Sequence, residues 1–157
     1  MSISIGDKAP PIKLKNQEDQ IISLDDYKGK NIVLYFYPED DTSGCTTEAC
    51  SFRDNFPTFG KLDAVVLGVS PDSVKSHKKF VQKYNLPFNL LSDEDKKVIY
   101  KYDVWQEKNM FGRKYMGVVR TTFIINKKGI ISQIFPKVKV DGHEKEVFEA
   151  LKSISSK

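Results

Sequence analysis

The chain has 157 residues, 39% of them hydrophobic and 29% charged, with a formal net charge of +4. That length supports one good core, so a single domain over residues 1–157 is expected. No apolar run approaches a membrane span, the N-terminus lacks the apolar centre of a signal peptide, and the lysines are scattered among acids, which sets aside membrane insertion, secretion and nucleic-acid binding.

A cytoplasmic location is therefore expected. The cytosol keeps ordinary thiols reduced, so the two cysteines, Cys45 and Cys50, read as reactive rather than structural. Arginine is scarce beside lysine, with only Arg53, Arg113 and Arg120, and each invites a reason.

Residues 1–30 read as an opening arm. Ala9-Pro10-Pro11 is extended, Ile12 to Lys15 alternates like a strand, and Ile21 to Leu24 pairs back across the polar turn Asn16 to Asp19. Ser23-Leu24-Asp25-Asp26 has the form of a capping box for one helical turn, stopped at Gly29. The apolar run 31–37 predicts a buried strand ended by Pro38. A helix follows from about Thr42, with a break or restart near Asn55 because Pro57 has no N–H. Ala64 to Ser70 is a second continuous apolar run and so a second buried strand. Ser70 is the expected N-cap of the next helix, with Pro71 at its first position. Val74, His77, Phe80, Val81 and Tyr84 recur along it at helical spacing, and Pro87 closes it.

Leu90-Leu91 predicts a short strand, followed by a helix over about Glu94 to Tyr102. Residues 103–119 read as one long connection that carries the sole tryptophan, Trp105. Loops of that length are often functional. Its Trp105, Met110, Phe111, Tyr115 and Met116 suit a pocket entrance, a docking surface or plain core capping. Strands at 120–125 and 130–135 flank Asn126-Lys127-Lys128-Gly129, a strong hairpin signal. A last amphipathic helix spans about Gly142 to Ile154, with Val147, Phe148, Leu151 and Ile154 on one face. Alternating strands and helices closed by a hairpin and a helix imply an α/β sandwich, in the order of the thioredoxin fold.

The chemistry concentrates in Tyr37-Pro38-Glu39-Asp40-Asp41-Thr42-Ser43-Gly44-Cys45-Thr46-Thr47-Glu48-Ala49-Cys50. Thr42 or Ser43 can cap a helix whose first turn carries Cys45. Free N–H groups and the positive helix end there favour a thiolate. Glu39, Asp40 and Asp41 work against it, so they must face outward or meet a cation. Cys-x4-Cys with two distant histidines, His77 and His143, is a poor zinc pattern, and packing roles are expected for both.

The spacing Pro38-x-x-x-Thr42-x-x-Cys45, with Cys50 five residues on and Arg120 opening a later strand, resembles the peroxiredoxins. The placement of Cys50 is similar to the atypical two-cysteine, bacterioferritin-comigratory-protein or Q-type class. The resemblance covers nearly the whole chain. It implies a thioredoxin-like three-layer sandwich with a central mixed sheet and an N-terminal hairpin extension. It also implies a peroxidase that needs no metal, haem or flavin cofactor, acts as a monomer, and reduces hydrogen peroxide and organic hydroperoxides. A dithiol protein such as thioredoxin or glutaredoxin would recycle it.

On that resemblance Cys45 is the peroxidatic nucleophile and Cys50 the resolving thiol. Residues five apart on an ideal helix stand about 8–9 Å apart at Cα, whereas a disulfide needs less than about 7 Å. The helix start must therefore unwind before the two can bond, and Gly44, Thr46 and Thr47 make it a weak helix former. Pro38, Thr42, Gly44 and Arg120 are the expected peroxide-binding residues. Pro38 either shields the sulfur or simply ends the strand, and Thr42 either caps the helix, holds peroxide or does both. Arg120 suits the thiolate because a guanidinium fork can hold two partners at once. Glu48 matches a glutamate of the Q-type pattern, with a surface or arginine-orienting role. Two rivals remain. A thioredoxin-like thiol–disulfide oxidoreductase would use Cys-x-x-Cys, two residues shorter than the spacing here. A non-enzymatic redox sensor or binding module would use Cys45 oxidation only as a switch.

Overall fold

The computed structural model describes residues 3–155. β1 (Lys13–Lys15) and β2 (Ile21–Ser23) form the opening hairpin, with Asn16 turning the chain by accepting from the Glu18 and Gln20 amides. Ser23 and Asp26 make the expected capping box around one 3-10 turn, Leu24–Tyr27. Then follow β3 (Asn31–Phe36), α1 (Ser43–Gly60), β4 (Ala64–Ser70), α2 (Val74–Tyr84), β5 (Asn89–Ser92) and α3 (Lys97–Lys101). β6 (Trp105–Met110), β7 (Arg113–Val118), β8 (Thr121–Ile125), β9 (Ile131–Phe135) and α4 (His143–Ser155) complete the described chain.

Seven strands form one mixed sheet in the order β2-β1-β5-β4-β3-β8-β9. β3 lies at its heart, parallel to β4 and antiparallel to β8, and every residue of it is buried. Its side chains alternate between two cores. Ile32, Leu34 and Phe36 join Ile99, Tyr102 and Phe123 on one face. Val33, Tyr35 and Tyr37 join Phe52, Phe59 and Phe80 on the other, where α1, α2 and α4 pack. This is the thioredoxin-like sandwich expected, with the N-terminal hairpin added to the sheet edge beside β5.

The structure corrects four sequence expectations. Residues 103–119 are not a loop: β6 and β7 pair as a separate two-stranded sheet, turning at Phe111-Gly112 with φ of 53° and 79°. Most of their residues are exposed, so no apolar face marks them as strands. Pro57 does not break α1. It sits one turn from the helix end, and Phe52 and Phe59 on either side are fully buried and hold the helix through it. α2 starts at Val74 rather than Pro71, because Ser73 caps it by accepting from the Ser76 amide. Ser70 instead ends β4 and donates its hydroxyl to Asp72. α3 is shorter than expected, preceded by Lys96 at φ 63°, with the buried Asp93 accepting from the Ile99 amide at 2.7 Å.

Candidate active site

The end of β3 feeds a short loop, and the loop feeds the N-terminus of α1. Tyr37 still bonds β4 through its amide to the Val69 carbonyl. Pro38 follows, half-buried, at the point where the strand stops. Asp41 takes a left-handed turn at φ 58°. Thr42 is the N-cap by backbone, in extended conformation, and its carbonyl accepts from the Thr46 amide at 2.8 Å. Its hydroxyl makes no capping bond and donates to the Glu39 carbonyl at 3.0 Å. The first amides of α1 thus have no side-chain cap among the described residues, which keeps the positive helix end available to an anion.

Cys45 lies in that first turn, 1% exposed. Arg120 leaves the chain one residue before β8, the strand beside β3, and aims its guanidinium at this turn. Nη2 donates to Cys45 Sγ at 3.3 Å and Nη1 to Glu48 Oε1 at 2.6 Å. Gly44 permits the approach, since a Cβ there would stand 3.2 Å from Nη2. Burial pushes the Glu48 carboxyl up to about 7 even though Arg120 pulls it down, and Glu48 Oε2 is buried without a partner. Burial draws Arg120 down, but Glu48 and Cys45 outweigh it and leave the guanidinium above its usual value. One cation therefore serves two groups that compete for it, a thiol and a reluctant carboxylate.

Of the three acids before Thr42, Glu39 and Asp41 meet the expectation of facing outward or meeting a cation, while Asp40 turns inward. Glu39 is exposed. Asp40 turns to His77, whose Nδ1 lies 2.7 Å from Oδ2. Asp41 accepts from Lys83 Nζ and from the Tyr84 hydroxyl, each at 2.8 Å, and these bonds hold its carboxyl below the usual range.

The structure thus brings Cys45, Glu48, Gly44 and Arg120 together, with Thr42 and Pro38 on the adjoining loop. Cys50 is part-buried and, like Cys45, a free thiol on the same unbroken helix. His143 is buried against Thr122 and Glu146, a packing role as expected. Sequence reasoning missed Lys108, on β6: its Nζ donates to the Val118 carbonyl, and burial and then Arg120 lower its pKa while Cys45 opposes them. Only its place in the unrecognised strand hid it. The exposed Met110, Phe111 and Met116 lie toward the hairpin turn, not in a core. A cavity of about 720 Å3 lies elsewhere, at the opposite end of β3 beside Ile32 and Ile125.

A thioredoxin-like sandwich with a buried cysteine at the start of its first long helix, matched by an arginine from the neighbouring strand, defines a thiol-based redox protein. The chain belongs to the AhpC/TSA family, whose model matches residues 5–134. It is 58% identical over 147 residues to the putative peroxiredoxin bcp of Coxiella burnetii, covering 94% of this chain and 97% of that one. It is 52% identical to peroxiredoxin Bcp of Bacillus subtilis over the full length of both. Its fold matches the bacterioferritin comigratory protein of Xanthomonas campestris, studied for its alkyl peroxide reduction activity, with a TM-score of 0.86 and 41% identity over 92% of each chain.

Proposed function

We propose that this protein is a thiol peroxidase that reduces hydrogen peroxide and organic hydroperoxides through Cys45. The observation that carries the reading is the Arg120 guanidinium, which contacts Cys45 Sγ at 3.3 Å while Glu48 fixes its other arm. The Cys45 thiolate attacks the terminal oxygen of the peroxide. An S–O bond forms, the O–O bond breaks, and the leaving alkoxide or hydroxide takes a proton. Cys45 is left as sulfenic acid, two electrons poorer. Arg120 and the free amides of α1 face the charge that builds on the oxygens. Thr42 and Pro38 lie on the loop that borders the same point.

Cys50 then attacks the sulfenic sulfur, water leaves, and a Cys45–Cys50 disulfide forms. Because α1 runs unbroken through both residues, its first turns must unwind for this step. A dithiol protein such as thioredoxin or glutaredoxin returns the disulfide to two thiols. The enzyme works as a cytoplasmic monomer, one domain over residues 1–157.

Peroxide consumption coupled to a thioredoxin system tests the reading. Wild type should turn over. Cys45→Ser should not, because an alcohol offers no accessible anion at neutral pH. Cys50→Ser should consume one equivalent and stop with a sulfenic acid on Cys45 that dimedone traps. If Cys45→Ser keeps the first reaction and Cys50→Ser loses it, the roles are reversed.

A further inference from the structure

The loop beside Cys45 is bolted to α2, an element whose side chains make no hydrogen bond to Cys45 or Arg120 among the described residues. Asp40 is the main bolt, and its side chain is almost fully buried. Oδ1 accepts from the Tyr37 hydroxyl at 2.6 Å, and Oδ2 accepts from Ser76 Oγ at 2.8 Å. The Asp40 amide donates to Asp72 Oδ2 at 2.7 Å. Burial, followed by Tyr35 and Asp40, holds the Tyr37 phenol well above its usual value, so its hydroxyl remains a donor.

The remaining contact is with His77, which is fully buried. Its Nε2 lies 3.0 Å from the Leu91 carbonyl oxygen, which can only accept, so Nε2 carries a hydrogen. A neutral ring with its hydrogen there would turn a bare lone pair at Nδ1 toward the Asp40 carboxylate, 2.7 Å away. Two acceptors do not sit at that distance. A second proton must lie between Nδ1 and Oδ2; Oδ2 already accepts from Ser76 Oγ, so the geometry puts that proton on Nδ1, where it is shared with the carboxylate. Asp40, Asp72 and His77 offer ligand atoms within 4.8 Å of one another, which also suits a metal ion. The hydroxyls of Tyr37, Ser70 and Ser76 and the Asp40 amide already donate into these carboxylates, so a shared proton accounts for the cluster.

We propose that Asp40 and His77 are positioning residues for the peroxide step. Their shared proton clamps the loop that carries Pro38 and Thr42 onto α2. The clamp acts through backbone alone, since neither side chain is bonded to Cys45 or Arg120. It leaves the Cys45–Cys50 segment free, because Asp40, and Asp41 with its bonds to Lys83 and Tyr84, lie before that segment, and the next side-chain tie to α2, Arg53 Nη1 to the Tyr84 carbonyl at 2.8 Å, lies after it.

Two consequences separate the clamp from general stability. Asp40→Asn should keep the geometry, since an amide NH2 can donate to a neutral Nδ1 while its oxygen still accepts from Tyr37. Asp40→Ala should release the loop. The test measures single-turnover peroxide consumption and, separately, disulfide formation in wild type and both variants. A misplaced reacting group costs up to about a hundredfold, so Asp40→Ala should lose about ten- to a hundredfold in the first step and change the second by less than about threefold. Asp40→Asn should restore the first step to within about threefold of wild type. Two-bond 1H–15N spectra of the His77 ring give a second readout. Both nitrogens should be protonated in wild type, and only Nε2 in Asp40→Asn.

A folded Asp40→Ala protein with the wild-type first step overturns the positioning role. A bare Nδ1 in wild type overturns the shared proton, and that measurement holds even if Asp40→Ala does not fold. The role assigned to the pair rests on the peroxidase reading of Cys45. A wild type that consumes no peroxide overturns that reading, while the ring spectrum still decides the pair.

Discussion

Residues 43–50 of α1 are tied to the neighbouring strand by Arg120, whereas residues 51–60 are fixed by packing and by bonds that no redox step touches. In the second half, Phe52 and Phe59 are fully buried, Ser51 Oγ donates to Glu144, and Arg53 reaches the Tyr84 carbonyl. In the first half Cys45, Glu48 and Ala49 are also buried, but the polar ties run through one guanidinium to a thiol and a carboxyl. Gly44, Thr46 and Thr47 add little helix propensity of their own. In the proposed reaction, oxidation of Cys45 replaces the thiolate that Arg120 faces with a neutral sulfenic acid. The difference teaches how one helix could carry both the unwinding step of the proposed cycle and a core that stays folded: its two halves answer to different forces.

The largest effect should come from attacking the packed half. Phe52→Ala removes a fully buried ring that packs at a tilt against Tyr35 and Phe59. Loss of such a ring costs about 3–5 kcal/mol, so thermal or urea unfolding should show a large drop in stability. If stability barely changes, the packed half is not the anchor it looks to be.

Next comes the cation. Arg120→Met takes away both polar ties of the first half and the donors for the transition state. By analogy with oxyanion donors the first step should slow by about 3 kcal/mol in barrier, or about a hundredfold. Arg113→Met, at an exposed place on β7, should change the rate little. Rapid-mixing measurements of peroxide consumption compare the two, and equal losses would count against Arg120 as the thiolate's partner.

Glu48 sharpens the comparison through pH. Its pKa rises from 4.5 to about 7 in the folded helix, chiefly by burial. The folded segment therefore binds a proton more tightly than the unwound one, and the proton favours the helix. That stabilisation is complete below pH 4.5 and fades as pH rises to about 7. Amide exchange over residues 43–50, corrected for its intrinsic pH dependence, should quicken across that window relative to residues 51–60. Glu48→Gln should flatten the trend. A wild-type segment with no change across the window would remove Glu48 from the account.

Much of this was legible in the sequence. β3 and β4 are continuous apolar runs, and Cys45 stands out as a thiol between a buried strand and a helix start, whereas Glu48 and Arg120 are picked out by the resemblance to the peroxiredoxins, since alone they read as surface residues. The site was legible where its parts are close in sequence or chemically unusual. The Asp40–His77 contact joins positions 37 residues apart through ordinary residue types, so no local pattern announces it. The β6–β7 hairpin was missed for a different reason. Trp105 to Val118 is held by backbone pairing with little burial, and hydrophobic periodicity cannot report a sheet that buries almost nothing. Pro57 misled because its local cost is real, yet the packing of Phe52 and Phe59 exceeds it.

The smallest effect separates propensity from placement within the first half itself. Gly44→Ala should strengthen the helix by about 0.8–1 kcal/mol and slow disulfide formation by about fourfold or fivefold. It also puts a methyl group 3.2 Å from Arg120 Nη2, closer than most such contacts, so the guanidinium must shift by a few tenths of an ångström. That shift disturbs its contact with Cys45, and the peroxide step should slow as well, by about twofold to fivefold. Thr47→Ala provides the contrast. Thr47 is exposed, its hydroxyl merely donates back to the Ser43 carbonyl at 2.9 Å, and replacing it raises helix propensity without touching Arg120. It should slow disulfide formation and leave the peroxide step as it was. Sulfenic acid should then persist longer in both variants and be overoxidised to sulfinic acid at high peroxide, a product that mass spectrometry counts. If Gly44→Ala behaves like Thr47→Ala in the first step, the close approach of Arg120 to position 44 has no bearing on peroxide attack.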